Sequence, residues 1–153
     1  MKHILFILFT VLLSFNSCNS DNNEDNSDML GNWKKMSLSA KNADIETKDS
    51  CDYIYLSADE LSFTLQVDNY KEWDICGINT QLTPTSEFKL AYYPNHGKNT
   101  FEENWYIFST NSNQMSCTIF KNTSSETRTI KLEMSSGNVF ETIYIVQSGV
   151  SNK

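Results

Sequence analysis

The chain has 153 residues and a formal net charge of −7, with 39% hydrophobic, 12% aromatic and 20% charged residues. That length holds one core and is too short for two full domains. The acidic balance and the single arginine, Arg128, exclude nucleic-acid and anionic-lipid surfaces, which need clustered bases.

In chain order, residues 1–17 read as a secretory signal peptide. Lys2 gives a positive start, and Ile4 to Leu13 form an apolar stretch broken only by Thr10. That stretch is too short for a permanent membrane span. The sequence Leu12-Leu13-Ser14-Phe15-Asn16-Ser17-Cys18 resembles a bacterial lipobox. Ser17 supplies the small residue before the cysteine, and Phe15 stands where an aliphatic residue is usual. The resemblance implies lipidation at Cys18 and contact with a membrane through the lipid, stably so with two or more acyl chains. A plain secreted protein with an ordinary cysteine is the alternative.

Residues 18–28 then form the lipidated cysteine and a disordered acidic tether. Residues 19–28 carry four acids, no base and no apolar side chain, so they have nothing to bury. Acids soon after the cysteine resemble the surface-export signal of Bacteroidetes lipoproteins; a solvated spacer is the other reading. Both place the folded part outside the cytoplasm. Loss of Lys2 with the signal takes the net charge from −7 to −8.

Residues 29–149 are expected to form one all-β domain, followed by a C-terminal tail at 150–153. Candidate strands lie at 33–38, 52–57, 61–67, 72–78, 88–93, 105–109, 115–120, 129–134 and 142–146. Leu61, Phe63, Leu65 and Val67 alternate with Ser62, Thr64 and Gln66. Met115, Cys117 and Ile119 show the same period, as do Ile130, Leu132 and Met134. Thr142 to Val146 is almost wholly apolar or aromatic, which predicts a strand covered on both faces. Asp68-Asn69, Asn111-Ser112-Asn113 and Ser136-Gly137-Asn138 are turn signals, the last a hairpin. No long helical period and no internal repeat is present. Eight or nine strands predict an immunoglobulin-like antiparallel β-sandwich. A closed barrel is the runner-up, because Gly31-Asn32-Trp33 resembles the Gly-x-Trp opening of lipocalin-like barrels.

The last third carries a more specific likeness. Trp105-Tyr106-Ile107, the run Phe120 to Leu132, and Ile143-Tyr144-Ile145-Val146-Gln147-Ser148-Gly149 resemble the BACON domain, an immunoglobulin-like module of Bacteroidetes surface and secreted proteins. Asn122, Arg128, Ile145 and Gln147 match its closing turn and strands, and Trp73 and Trp105 resemble its two tryptophans. The likeness covers about residues 50–149. It departs over 79–104, which is longer than the usual connection and holds an extra strand candidate. The resemblance implies an accessory carbohydrate-binding role at the cell surface.

Read as residues alone, Arg128 reaches past the core edge to turn carbonyls of Asn122 to Ser124, and Gln147 satisfies a neighbouring strand end. Trp73 and Trp105 suit core pillars or ligand platforms.

Catalytic chemistry is poorly served. After processing, His96 is the only histidine, which leaves no Ser–His–Asp or Cys–His device. The carboxylates Asp59, Glu60, Glu72, Asp74, Glu102 and Glu103 are not fixed across a cleft by any pattern. No Cys-x-x-Cys spacing, calcium loop or phosphate-cradling glycine loop exists, so no metal or cofactor is expected. Cys51, Cys76 and Cys117 are expected as small buried hydrophobes, with a single disulfide among them the alternative.

Binding is better served. Residues 88–108 mix aromatic and polar side chains, and sugar rings stack their C–H faces on aromatic rings. The candidate ligand-binding residues are Tyr92, Tyr93, His96 and Trp105, with Asn95 and Asn99 nearby. The competing reading puts Phe88, Leu90 and Tyr92 in a core-facing stripe. The sequence thus predicts a non-catalytic outer-membrane lipoprotein, surface-exposed, that binds a glycan or glycoprotein. A structural or protein-interaction lipoprotein is the alternative.

Overall fold

The computed structural model describes residues 34–92 and 98–151. Cys18, the acidic tether, Trp33, Tyr93 and His96 lie outside the described residues.

Among the described residues, eleven strands form two sheets. The five-stranded sheet has the order β1 (Leu38–Lys41), β4 (Leu61–Val67), β9 (Gln114–Ile119), β8 (Tyr106–Asn111), β7 (Thr100–Glu103). The six-stranded sheet runs β2 (Glu46–Lys48), β3 (Cys51–Leu56), β11 (Val139–Gln147), β10 (Arg128–Ser136), β5 (Asp74–Gln81), β6 (Lys89–Tyr92). In these orders β1-β4-β9-β8 and β11-β10-β5 correspond to the ABED and GFC sheets of an immunoglobulin-like sandwich. The fold is therefore the expected one, with more strands than the eight or nine foreseen. Its sheets are also not purely antiparallel, because β3 pairs with β11 in parallel. Among the described residues the two sheets do not close on each other, so the closed-barrel reading is set aside.

Period-2 alternation builds the core. Phe63, Leu65 and Val67 from β4 meet Met115, Cys117 and Ile119 from β9 on the inner face. Ile130, Leu132 and Met134 from β10, with Ile143 and Ile145 from β11, supply the opposing layer. The outer positions pair across strands instead, as in Ser62 with Thr118 at 3.0 Å between hydroxyl oxygens. The predicted hairpin is present: Ser136 pairs with Val139 around Gly137-Asn138, and Gly137 takes φ 58°. A positive φ at the first central residue fits a type II′ turn, which a glycine adopts without strain.

Three expectations need correction. The strand expected at 33–38 forms instead at Leu38–Lys41, where backbone pairing with β4 is available. Thr142 to Val146 is not covered on both faces. Ile143 and Ile145 are buried, whereas Thr142, Tyr144 and Val146 face outward and are half-exposed. Phe88, Leu90 and Tyr92 do not form one core-facing stripe. A register shift between Ile78 and Asn79 breaks the alternation, so Leu90 is exposed while Tyr92 packs against the core.

All three described cysteines are free thiols, but only Cys117 is buried; Cys51 and Cys76 are half-exposed. Burial pushes the Cys117 thiol far above its ordinary value of 9.0. Its protonated form is thus favoured by folding. The stability this gives is fully present below pH 9.0 and is lost as pH rises from there toward the folded-state value. The loss steepens above pH 9.0, where the unfolded thiol ionises and the folded one stays protonated. Urea unfolding of the wild type and Cys117→Ala at pH 8 and pH 10 checks this, with the steeper decline expected in the wild type. Equal slopes would remove the buried thiol as the cause.

Candidate functional site

Near the start of β10, the Arg128 and Gln147 motif of the last third forms a structural clamp. Arg128 donates from Nε to Gln147 Oε1 at 2.9 Å and from Nη2 to the Phe120 carbonyl at 2.7 Å. Its guanidinium also stacks on the Trp105 ring, 4.3 Å from the centroid. The expected carbonyl partners at Asn122 to Ser124 are not used. Asn122 bonds that turn itself, accepting from the Ser124 N–H and donating to the Glu126 and Ser148 carbonyls. Gln147, fully buried, donates to the carbonyls of Ala58, Asp59 and Phe120. Desolvation lowers the Arg128 pKa from its ordinary value.

Trp105 is 9% exposed and sits edge-on to Tyr106, with ring centroids 5.4 Å apart. It belongs to the core reading. Phe101, Tyr106 and Phe108 are buried with it. Tyr92 meets Phe101 edge-to-face at 4.4 Å, and Lys98 Nζ lies 5.3 Å from the Tyr92 centroid. That contact joins an edge strand of one sheet to an edge strand of the other. Tyr92 and Trp105 therefore serve two different packing arrangements, and the described residues do not assemble them into one platform.

The exposed aromatic surface lies elsewhere, on the outer face of the six-stranded sheet. On β3, Asp52, Ile54 and Leu56 are buried, so Tyr53 and Tyr55 point outward. Parallel register sets Tyr144 of β11 beside Tyr53. The Tyr53 and Tyr55 rings lie 5.7 Å apart at an interplanar angle of 7°. Tyr53 and Tyr144 lie 5.1 Å apart at 17°. Phe88, from the connection before β6, reaches back to 6.4 Å from Tyr144. Tyr55 is 53% and Phe88 40% exposed.

Polar groups continue the transverse line through Tyr53 and Tyr144, from which Tyr55 departs along β3. Register places Glu46 beside Tyr53 on one side, and Lys131 then Asn79 beyond Tyr144 on the other. Lys131 Nζ donates to Glu133 Oε1 at 2.6 Å, and Asn79 Nδ2 donates to Glu133 Oε2 at 3.1 Å. Glu133 can lie flat there because its cross-strand neighbour is Gly77, where a Cβ would come within 2.6 Å of Glu133 Oε2. The hydrogen bond to Glu133 holds the Lys131 ammonium above its ordinary value of 10.5. Desolvation, then Cys51, Tyr144 and Tyr55, raise the Tyr53 phenol above 10.0, so its hydroxyl is a neutral donor at physiological pH.

The six carboxylates considered for hydrolysis are all exposed. Among the described residues, no group of three or more His, Cys, Asp or Glu side chains is placed to hold a metal ion.

The tyrosine cluster escaped sequence reasoning, which followed the aromatic density of residues 88–108. The available signal was Tyr53 and Tyr55 alternating with Ile54 and Leu56, which puts both tyrosines on the face away from the core.

No family model and no curated protein matches this chain. Its fold is similar to the NMR structure of a protein from Bacteroides thetaiotaomicron, with TM-score 0.59 and 20% sequence identity, covering 85% of this chain and 98% of that one. The M1 domain of titin is more distant, with TM-score 0.42 and 6% identity over 76% of this chain and 98% of that domain. At 20% identity the first likeness establishes the fold alone.

Proposed function

We propose that this protein is a non-catalytic, lipid-anchored protein of the outer-membrane surface, accessory to capture of a carbohydrate or glycoprotein. The observation that carries the binding half is the partly exposed cluster of Tyr55, Tyr53 and Tyr144, stacked on one another on the outer face of the sheet. The outer face and edges of this stack offer sugar C–H groups apolar contact on side chains already held in place by their neighbours, at small entropic cost. The anchoring half rests on the lipobox-like sequence ending at Cys18 and the acids that follow it. The BACON-like residues of the last third agree with such a role, although Arg128, Asn122 and Gln147 act here as the clamp rather than as ligand contacts.

Two measurements test the two halves. Metabolic labelling with an alkyne fatty acid should mark the wild type and not Cys18→Ser; an unlabelled wild type removes the anchor. A glycan array probed with the detergent-solubilised full chain should give carbohydrate hits. No hits, together with a co-purifying protein, would move the reading to a protein-interaction lipoprotein.

A further inference from the structure

We infer that Lys35 and Asp52 condense to an intramolecular amide, with Glu141 carrying the proton, so that the segment leading into β1 is bonded covalently to β3. The bond goes beyond the carbohydrate-binding reading and does not depend on it.

Three residues far apart in sequence meet at one point. Lys35 Nζ lies 3.3 Å from Asp52 Oδ2 and 3.6 Å from Glu141 Oε1. Asp52 is 5% and Glu141 7% exposed. Both point inward, from β3 and from β11. The parallel register that pairs Asp52 with Ile143 sets the two carboxylates diagonal to each other.

Both reacting groups are held from two sides. Asp52 stands on a strand paired with β2 and β11, and Thr47 Oγ1 donates to its Oδ1 at 2.7 Å. The backbone around Lys35 is fastened as well. Asn69 Nδ2 donates to the Lys35 carbonyl at 2.9 Å, and Tyr70 Oη donates to the Lys34 carbonyl at 2.6 Å. Met36 is buried in the core. Groups fixed in reacting contact behave as if at roughly 10⁵–10⁸ M, which offsets the cost of making an amide in water.

The protons balance within the three side chains. The Lys35 ammonium gives one proton to Asp52 Oδ2, and the free amine attacks Cγ. A C–N bond forms, and an electron pair moves onto Oδ1, where the Thr47 hydroxyl donates. Glu141 takes a second proton from the nitrogen and passes it to the Oδ2 hydroxyl. The Cγ–Oδ2 bond breaks, one water leaves and a neutral secondary amide remains. The Lys35 side chain is 51% exposed, which gives that water a way out. Glu141 keeps the Thr142 N–H at 3.1 Å and gains the new amide N–H in place of the ammonium.

The consequence is mechanical. A pull on the chain before Lys35 is delivered to β3, inside its sheet, and not to β1, at the edge of the other sheet among the described strands.

Tryptic peptide mapping of the detergent-extracted full chain by tandem mass spectrometry tests the bond. Cleavage after Lys35 is expected to fail. A branched species should join the Lys35 peptide to the Asp52 peptide, lighter than their sum by one water. Lys35→Arg and Asp52→Ala should each give separate peptides at full mass, and Glu141→Gln should leave most chains without the bond. Circular dichroism of each variant checks that the sandwich is intact. A wild type whose Lys35 and Asp52 peptides are separate and at full mass overturns the inference and leaves an ordinary ion pair. A Glu141→Gln protein bonded as fully as the wild type overturns the role given to Glu141.

Discussion

Trp105→Ala is expected to lower folding stability by about 4 kcal/mol, the range of a large aromatic side chain removed from a core. The ring is 9% exposed, packs on Tyr106 and carries the Arg128 guanidinium on one face. Its removal leaves a cavity at the end of the β7–β8 turn and strips a partner from a half-buried cation. Urea unfolding measures the loss. A change below about 1 kcal/mol would be that of a surface side chain, and would return Trp105 to the candidate ligand contacts.

Gln147→Leu is expected to cost about 3 kcal/mol, through unsatisfied groups rather than lost volume. Its amide donates to three carbonyls and its carbonyl accepts from Arg128 Nε. Leucine fills similar space and satisfies none of them. Phe120 keeps its bond from Arg128 Nη2, and Ala58 keeps the Asn122 N–H at 2.7 Å. The largest penalties therefore fall on Arg128 Nε and the Asp59 carbonyl. Gln147→Glu separates the two halves. A carboxylate keeps the Arg128 partner but turns an acceptor toward three carbonyls, so it should also fall below the wild type. A Gln147→Leu protein as stable as the wild type would show that the clamp contributes no net free energy.

Where alternation was clean, the sequence was enough to place strands. β4, β9, β10 and the hairpin into β11 follow from apolar side chains at every second residue and from Gly137. β2 and β7 were not legible. Glu-Thr-Lys has no apolar side chain and Thr-Phe-Glu-Glu has only Phe101, so both exist through backbone pairing with a neighbouring strand. The side on which an aromatic faces was equally hidden. Tyr144 lies in a run apolar at almost every position, so composition could not separate its open face from its buried one. On β3 the usual rule is inverted at one residue. Asp52 points inward, held by Thr47 Oγ1 at 2.7 Å and Lys35 Nζ at 3.3 Å, while two tyrosines point to water. At β6 the bulge opposite Ile78 reverses the face of Tyr92 relative to Leu90, which no periodicity within 88–93 could reveal.

The candidate site was legible in chemistry and not in place. Aromatic side chains with polar neighbours were the right type of signal, but Phe101, Trp105, Tyr106 and Phe108 are the sandwich filling. Tyr53, Tyr55 and Tyr144 come from strands about 90 residues apart in sequence, joined only by the parallel β3–β11 register.

That the tyrosine cluster, and not the 92–105 region, meets the ligand is tested most directly by NMR. The isotope-labelled full chain in detergent would be titrated with neutral hexasaccharides of β-linked glucose, xylose and mannose. Chemical-shift changes are expected to concentrate on Cys51–Leu56 and Thr142–Val146 and to include Phe88. Changes confined to Tyr92–Trp105, with β3 and β11 unmoved, would contradict the account.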